Sequence, residues 1–236
     1  MAVTATVFDT YASTASSTDS FTTTNSLTPD ADTTYLVGVE LASGSGVAWP
    51  SVTLSGWGIT WSQSASPLTR LTADLLVVFE GKTASPSNGV LTVTFTGKAI
   101  GGKSVVAVEI SGDDTADPVI QSGTVGYSSG VGPATASLSS YADTDNAGIA
   151  FFDIGVASAT DVTPETDWTE VADASYDTPN HHLQCQFRAD AGSIPDVSCT
   201  STWDGSSVNY AGFIFEIAAG GAPPPDPIRI IGGGLI

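Results

Sequence analysis

Large apolar residues recur at alternate positions along most of this chain, and short clusters of Gly, Pro, Asn and Asp interrupt them about every ten residues. In LTVTFTG, Leu91, Val93 and Phe95 fall on one face and three threonines on the other. In LQCQFRAD, Leu183, Cys185 and Phe187 read as inward, with Gln184, Gln186 and Arg188 outward. Such alternation predicts half-buried strands, which Thr, Val and Phe favour. No long segment places apolar residues at i, i+3, i+4 and i+7, so no substantial helix is predicted. ASPSNG, residues 84–89, reads as a loop ending in Asn-Gly.

The two halves carry similar segments in the same order. VTATVFDTYAS and TTYLVGVELA in the first answer to PVIQSGTVGYSSG and NAGIAFFDIGV in the second. Tryptophan segments follow, around Trp57 and Trp61 and then around Trp168. LLVVFEG answers to LQCQFRA, VLTVTFTG to DVSCTSTW, and the closing SVVAVEISG to AGFIFEIAAG. The spacing is about 107 residues, from Val106 to Phe213, too long for a solenoid unit. The prediction is an all-β, antiparallel, jelly-roll-like β-sandwich over residues 1–218, built from two sequence-similar halves of about 1–112 and 117–218. Two tandem small sandwiches are the alternative. Glu109 and Glu216, off the apolar face of the closing strands, are expected to be exposed. Residues 219–236 form an extended C-terminal arm. Its Pro-rich start favours polyproline geometry, and its apolar end (Ile228, Arg229, Ile230, Ile231, Leu235, Ile236) is expected to bind a neighbouring subunit.

Charge narrows the partners. Twenty-five acidic residues stand against six basic ones, and the net charge of −19 repels phosphate backbones and anionic membranes. Neither nucleic acid nor membrane is an expected partner. No apolar run reaches the roughly 18 residues that span a bilayer. MAVTATVFDTYAS lacks the basic and apolar regions of a secretion signal, so synthesis in a cytoplasm is expected.

Candidate chemistry is sparse, and neither a catalytic site nor a cofactor is predicted. GYSSG matches the G-x-S-x-G nucleophile pattern at Ser128, but the strand–turn–helix context this pattern needs is not predicted around it. His181 and His182 are the only histidines. Neighbours on a strand point to opposite faces, so they read as surface residues rather than metal ligands. DTDNAG offers Asp143 and Asp145 as weak calcium candidates, without the bidentate Glu expected at position 12, where Ile154 stands. Asp113, Asp114 and Asp117 form a second acidic turn, and Asp161, Glu165 and Asp167 a third. Cys185 and Cys199 would face each other if their strands form a hairpin; synthesis in a reducing compartment favours free thiols. Trp57, Trp61, Trp168, Trp203, Tyr176 and Tyr210 read as core packing, with a sugar-binding surface as the alternative.

The doubled pattern resembles a β-sandwich domain of phage structural proteins and some bacterial surface proteins. The residues that carry the resemblance are Ser20–Thr28, Tyr35–Leu41, Val90–Gly97, Val106–Gly112 and Tyr210–Ile217. The first loop, TTTNSLTPDADTTY, departs from the compact Pro-Gly turn of that family. The resemblance implies a non-enzymatic virion component, foremost a capsid decoration (cement) protein. Its expected partner is the major capsid protein or another virion protein, and its expected state a homo-oligomer, a trimer as first guess. A tail or fibre part, or a surface carbohydrate-binding module, is the alternative.

Overall fold

The computed structural model describes residues 2–43, 48–49, 51–114, 116–158, 160–191, 197–205 and 207–221. The apolar end of the C-terminal arm lies outside them, as does the whole segment after Gly221. Every regular element in the first half is a strand: β1 (Thr4–Ser13), β2 (Ser17–Thr22), β3 (Thr34–Ala42), β4 (Thr53–Ser55), β5 (Thr60–Gln63), β6 (Leu68–Arg70), β7 (Asp74–Lys82), β8 (Thr92–Ile100) and β9 (Gly102–Ser111). The second half holds β10 (Val119–Gly130), β11 (Ala134–Ser137), β12 (Ala147–Ile154), β13 (Val162–Pro164), β14 (Thr169–Asp177), β15 (Asn180–Arg188), β16 (Ser198–Trp203) and β17 (Val208–Ile217). No helix among the described residues is long and apolar enough to cross a membrane.

The strands form four antiparallel sheets, two from each half. The first half has a main sheet ordered β1-β9-β3-β7-β5, with β6 also on β7, and an outer sheet β2-β8-β4. The second half has a main sheet β10-β17-β12-β15-β14 and an outer sheet β11-β16-β13. Strand for strand, the second order follows the first. Each half thus contributes a main sheet and an outer sheet of its own.

Three apolar layers hold the four sheets together. One lies inside the first sandwich, around Val37, Val39, Trp57, Val77 and Phe95. Another lies inside the second, around Phe152, Trp168, Cys199 and Ile214. The third joins the two main sheets back to back, through Leu36, Val78, Val108, Ile149, Phe151 and Phe213. β1 and β9 lie over β14, and β10 over β6. Full burial of each such side chain contributes about 1.5–3 kcal/mol before ordering entropy is counted.

This stacking explains the sequence of the main strands. All nine residues of β3 and all eight of β12 are buried, because both faces of each central sheet meet another sheet. In β3, Leu36, Gly38 and Glu40 face the other half while Val37, Val39 and Leu41 face their own sandwich. The ring of Phe151 lies against Gly38, where a Cβ would stand 2.5 Å from a ring carbon.

Two-sided burial corrects several expectations. Gln184 and Gln186 are fully buried, not outward. Glu216 is fully buried and Glu109 half-buried, not exposed. β15 and β16 lie in different sheets, so Cys185 and Cys199 do not face each other across a hairpin. Cys185 sits between the halves and Cys199 inside the second sandwich; neither forms a disulfide.

Candidate functional site

The face that joins the two sandwiches is apolar over most of its area and polar at one end. The same alternation that sends Leu36 across the interface sends Glu40 there, four residues along β3. On β7, Asp74 shares a face with Leu76 and Val78; on β9, Ser104 shares one with Val106. From the second half come Asp153, in line with Phe151 on β12, and His181, in line with Leu183 and Cys185 on β15. Tyr176 follows Ala172 and Ala174 on β14. These side chains meet in a closed cluster: Glu40 and Asp153 are 0% exposed, Asp74 3%, and His181 and Tyr176 5% each.

Their contacts are specific. Tyr176 donates its hydroxyl to Glu40, at 2.7 Å from Oε1 and 2.8 Å from Oε2. Ser104 Oγ donates to Glu40 Oε2 at 2.9 Å. His181 Nδ1 lies 2.6 Å from Asp153 Oδ1 and 3.6 Å from Glu40 Oε1. His181 Nε2 lies 3.7 Å from Asp74 Oδ1, and Arg70 Nε holds Asp74 Oδ2 at 2.5 Å. Tyr127 donates to Asp153 Oδ2 at 2.5 Å. Tyr176 stacks on the His181 ring, their centroids 5.7 Å apart. Gly102 makes room for Tyr176, since a Cβ there would stand 2.2 Å from the tyrosine ring.

Protonation follows from burial and company. Burial disfavours the Glu40 carboxylate and pushes its pKa up to about 8, against the pull of His181. Burial alone would lower His181; the carboxylates of Asp153 and Glu40 outweigh it and hold the imidazolium up to about 10. Burial and the same carboxylates raise Tyr176 and Tyr127, which stay neutral donors. Within ion-pair distance three carboxyl groups meet two cations, Arg70 and His181, and a proton on Glu40 brings the cluster to neutrality. The ligand-type atoms of Glu40, Asp153 and His181 all lie within 4.8 Å of one another.

Both histidines are therefore interior, contrary to the expectation of surface residues. His182 is 3% exposed and faces the second sandwich. Its Nδ1 lies 2.9 Å from Asp173 Oδ2 and its Nε2 2.9 Å from the Ala157 carbonyl. Both partners only accept, so both ring nitrogens carry protons. Burial pulls the His182 pKa down, but Asp173 more than compensates.

The other sequence candidates lie elsewhere. Asp143 and Asp145 are exposed on the rim of a cleft of about 710 Å³, which Asn146, Asp190, Ala219 and Gly220 also line. Asp143 Oδ1 caps its own turn by accepting from the Asp145 amide at 3.0 Å. Asp113 is buried and accepts from Thr34 Oγ1 at 2.6 Å, and Glu165 Oε2 accepts from the Thr200 amide at 2.6 Å, so two of the three acidic turns are tied into the fold. Ser128 is exposed within strand β10, away from any strand-to-helix turn. Trp57, Trp168, Trp203 and Tyr176 are packed inside; Trp61 and Tyr210 are partly buried against the same cores.

Sequence reasoning missed Glu40, Asp74 and Asp153 altogether. A signal was present: TYLVGVELA and AGIAFFDI each carry a single carboxylate near the end of an otherwise apolar strand. Compared with known proteins, the chain matches no family model, no curated protein and no solved structure.

Proposed function

We propose that the chain is a non-enzymatic structural protein of a phage particle: a capsid decoration protein, attached as a homo-oligomer to the major capsid protein or another virion protein. The observation that carries this reading is the set of hydroxyl rows on the outsides of the four-sheet stack. In the first outer sheet Ser20, Thr94 and Thr53 stand in one row and Thr22, Thr92 and Ser55 in the next. Their inward neighbours Phe21, Val93 and Leu54 fill the core. In the second outer sheet the rows are Thr135 with Thr200, Ser137 with Ser198, and Thr163 with Thr202.

A chain of net charge −19 that keeps these rows free of charge has surfaces suited to docking. Hydroxyls are far cheaper to desolvate than carboxylates, and the centres of protein interfaces are depleted in charge. Exposed acidic residues lie outside these rows, among them Asp30, Asp32, Asp143, Asp145 and Asp190. The resemblance to phage sandwich proteins supplies the setting, and the groups with chemical potential lie between the sandwiches.

Adding the purified chain to undecorated capsids tests the reading. Saturable binding that is lost in the Thr94→Glu, Thr53→Glu variant supports it, and electron microscopy of purified virions should place the chain on the shell. Absence of the chain from purified particles would sink the proposal. Deleting residues 223–236 tests the arm separately; undiminished binding removes it from the interface. A tail, fibre or carbohydrate-binding role is the second reading, because hydroxyl rows also suit sugar hydroxyls. The burial of Trp57, Trp168 and Trp203 leaves only the partly buried Trp61 and Tyr210 of its candidate aromatics for stacking, and glycan arrays separate it from shell binding.

A further inference from the structure

The geometry points to a zinc site that staples the two sandwiches together, with Glu40 Oε1 from the first half and Asp153 Oδ1 and His181 Nδ1 from the second as protein ligands. One imidazole nitrogen with two carboxylates is a donor set for zinc rather than for calcium or magnesium, which prefer oxygen alone.

Each ligand atom is aimed by a partner on its far side. Asp153 turns Oδ2 to Tyr127 and leaves Oδ1 at His181. Glu40 turns Oε2 to Ser104, and its Oε1, which also accepts from Tyr176, lies toward His181. His181 presents Nδ1 to both carboxylates, while Nε2 faces Asp74, itself fixed by Arg70. A carboxylate behind the non-ligating ring nitrogen is the outer-shell arrangement that orients metal-bound histidines. Tyr176 adds rigidity by stacking on the ring and bonding Glu40.

The distances suit a small ion. Zinc bonds of about 2.0–2.2 Å place tetrahedral donors about 3.4 Å apart. Nδ1 to Glu40 Oε1 is 3.6 Å already. Nδ1 to Asp153 Oδ1, at 2.6 Å, holds a hydrogen bond that must open by less than about 1 Å as zinc replaces the proton. Ligation requires Nδ1 to be free of its proton, and the carboxylates offset the charge of the cation. The fourth position falls to water. The role goes beyond particle attachment and does not depend on it.

The test uses the full chain, stripped with chelator, dialysed and titrated with zinc chloride against a chromophoric competitor. One zinc per chain is expected, with one imidazole nitrogen in its X-ray absorption spectrum. At zinc 100-fold above Kd the melting temperature should rise by roughly 5–10 °C. Glu40→Gln, which keeps the shape but turns one accepting oxygen into a donor, should weaken zinc by more than the roughly 10–100-fold typical of an outer-shell loss, and Asp74→Asn by about that amount. No stoichiometric zinc on the folded wild-type chain, no imidazole in the spectrum, or equal affinity in Glu40→Gln would each overturn the site. If Glu40→Gln does not fold, Asp74→Asn decides in the same way, since it leaves all three ligands in place.

Discussion

Glu40 and Asp153 occupy the same place in their two sheets. Glu40 stands between Leu76 on one side and Ser104 on the other; Asp153 stands between Leu183 and Ala211. By the same register Asp74 corresponds to His181. The interface cluster is thus two equivalent pairs brought face to face, and only the exchange of an acid for an imidazole makes it chemically compatible. Two acids and two acids would repel; the histidine supplies the cation that allows the halves to close.

Replacing Gly102 by Ala should disturb this cluster without touching a charge. The new Cβ would strike Tyr176, which is held by Glu40 and His181. The expected loss is about 1–3 kcal/mol, the usual range for an overpacked core, read by chemical denaturation. Gly38→Ala, against Phe151, should cost a similar amount; a variant as stable as wild type at either position would contradict the packing.

Gln184 should be intolerant of truncation, although its sequence context looks like a solvent-facing position. Its amide donates to the Val162 carbonyl at 2.9 Å and to Glu170 Oε2 at 2.7 Å. Its carbonyl accepts from Ser201 Oγ at 2.7 Å and Gln186 Nε2 at 2.8 Å. Gln184→Ala strands several buried groups, at about 1–3 kcal/mol for each one left unsatisfied. Thermal melts should place this variant well below an exposed control such as Thr135→Ala.

Asp9 should destabilise the native state at neutral pH. It is 4% exposed; Oδ1 accepts from Asn25 at 2.7 Å, but Oδ2 is buried with no hydrogen-bond partner. Burial raises its pKa against the opposing pull of Asn25, Thr10 and Thr23. A carboxyl whose folded pKa is raised contributes stability below its unfolded value and loses it as pH climbs through the folded value. Asp9→Asn should therefore raise the melting temperature at pH 7 and leave it nearly unchanged near pH 3. A uniform shift at both pH values would refute the assignment.

The two cysteines should be silent toward thiol reagents in the native protein. Both are fully buried, and burial also raises the Cys185 pKa. Ellman's reagent should report no rapid reaction under native conditions and two thiols in guanidinium. Fast labelling of either without denaturant would mean that the interior opens readily.

The strands were legible because alternation survives in nearly every segment, from LTVTFTG to AGFIFEI. The layering was not. A strand with glutamines at alternate positions, such as β15, looks half-exposed whether those positions face water or a polar network inside a second sandwich. Gln184, Gln186, His181 and Glu216 were misplaced for that one reason. Position within the stack sets their burial, and nothing local encodes it. The cluster was hidden similarly, since Glu40 and Asp74 meet Tyr176 and His181 only across more than a hundred positions of chain.

The pairing of first strand with last in each half bears on how the chain is made. Thr4 pairs with Ser111, and Val119 with Ile217, so neither main sheet can close until its whole half has left the ribosome. The first half can then fold alone, but it holds an apolar sheet face and Glu40 open until the second arrives. During that interval the second half of a neighbouring nascent chain is as good a match as its own. Crowded polysomes should therefore yield exchanged dimers, and slow synthesis should favour them.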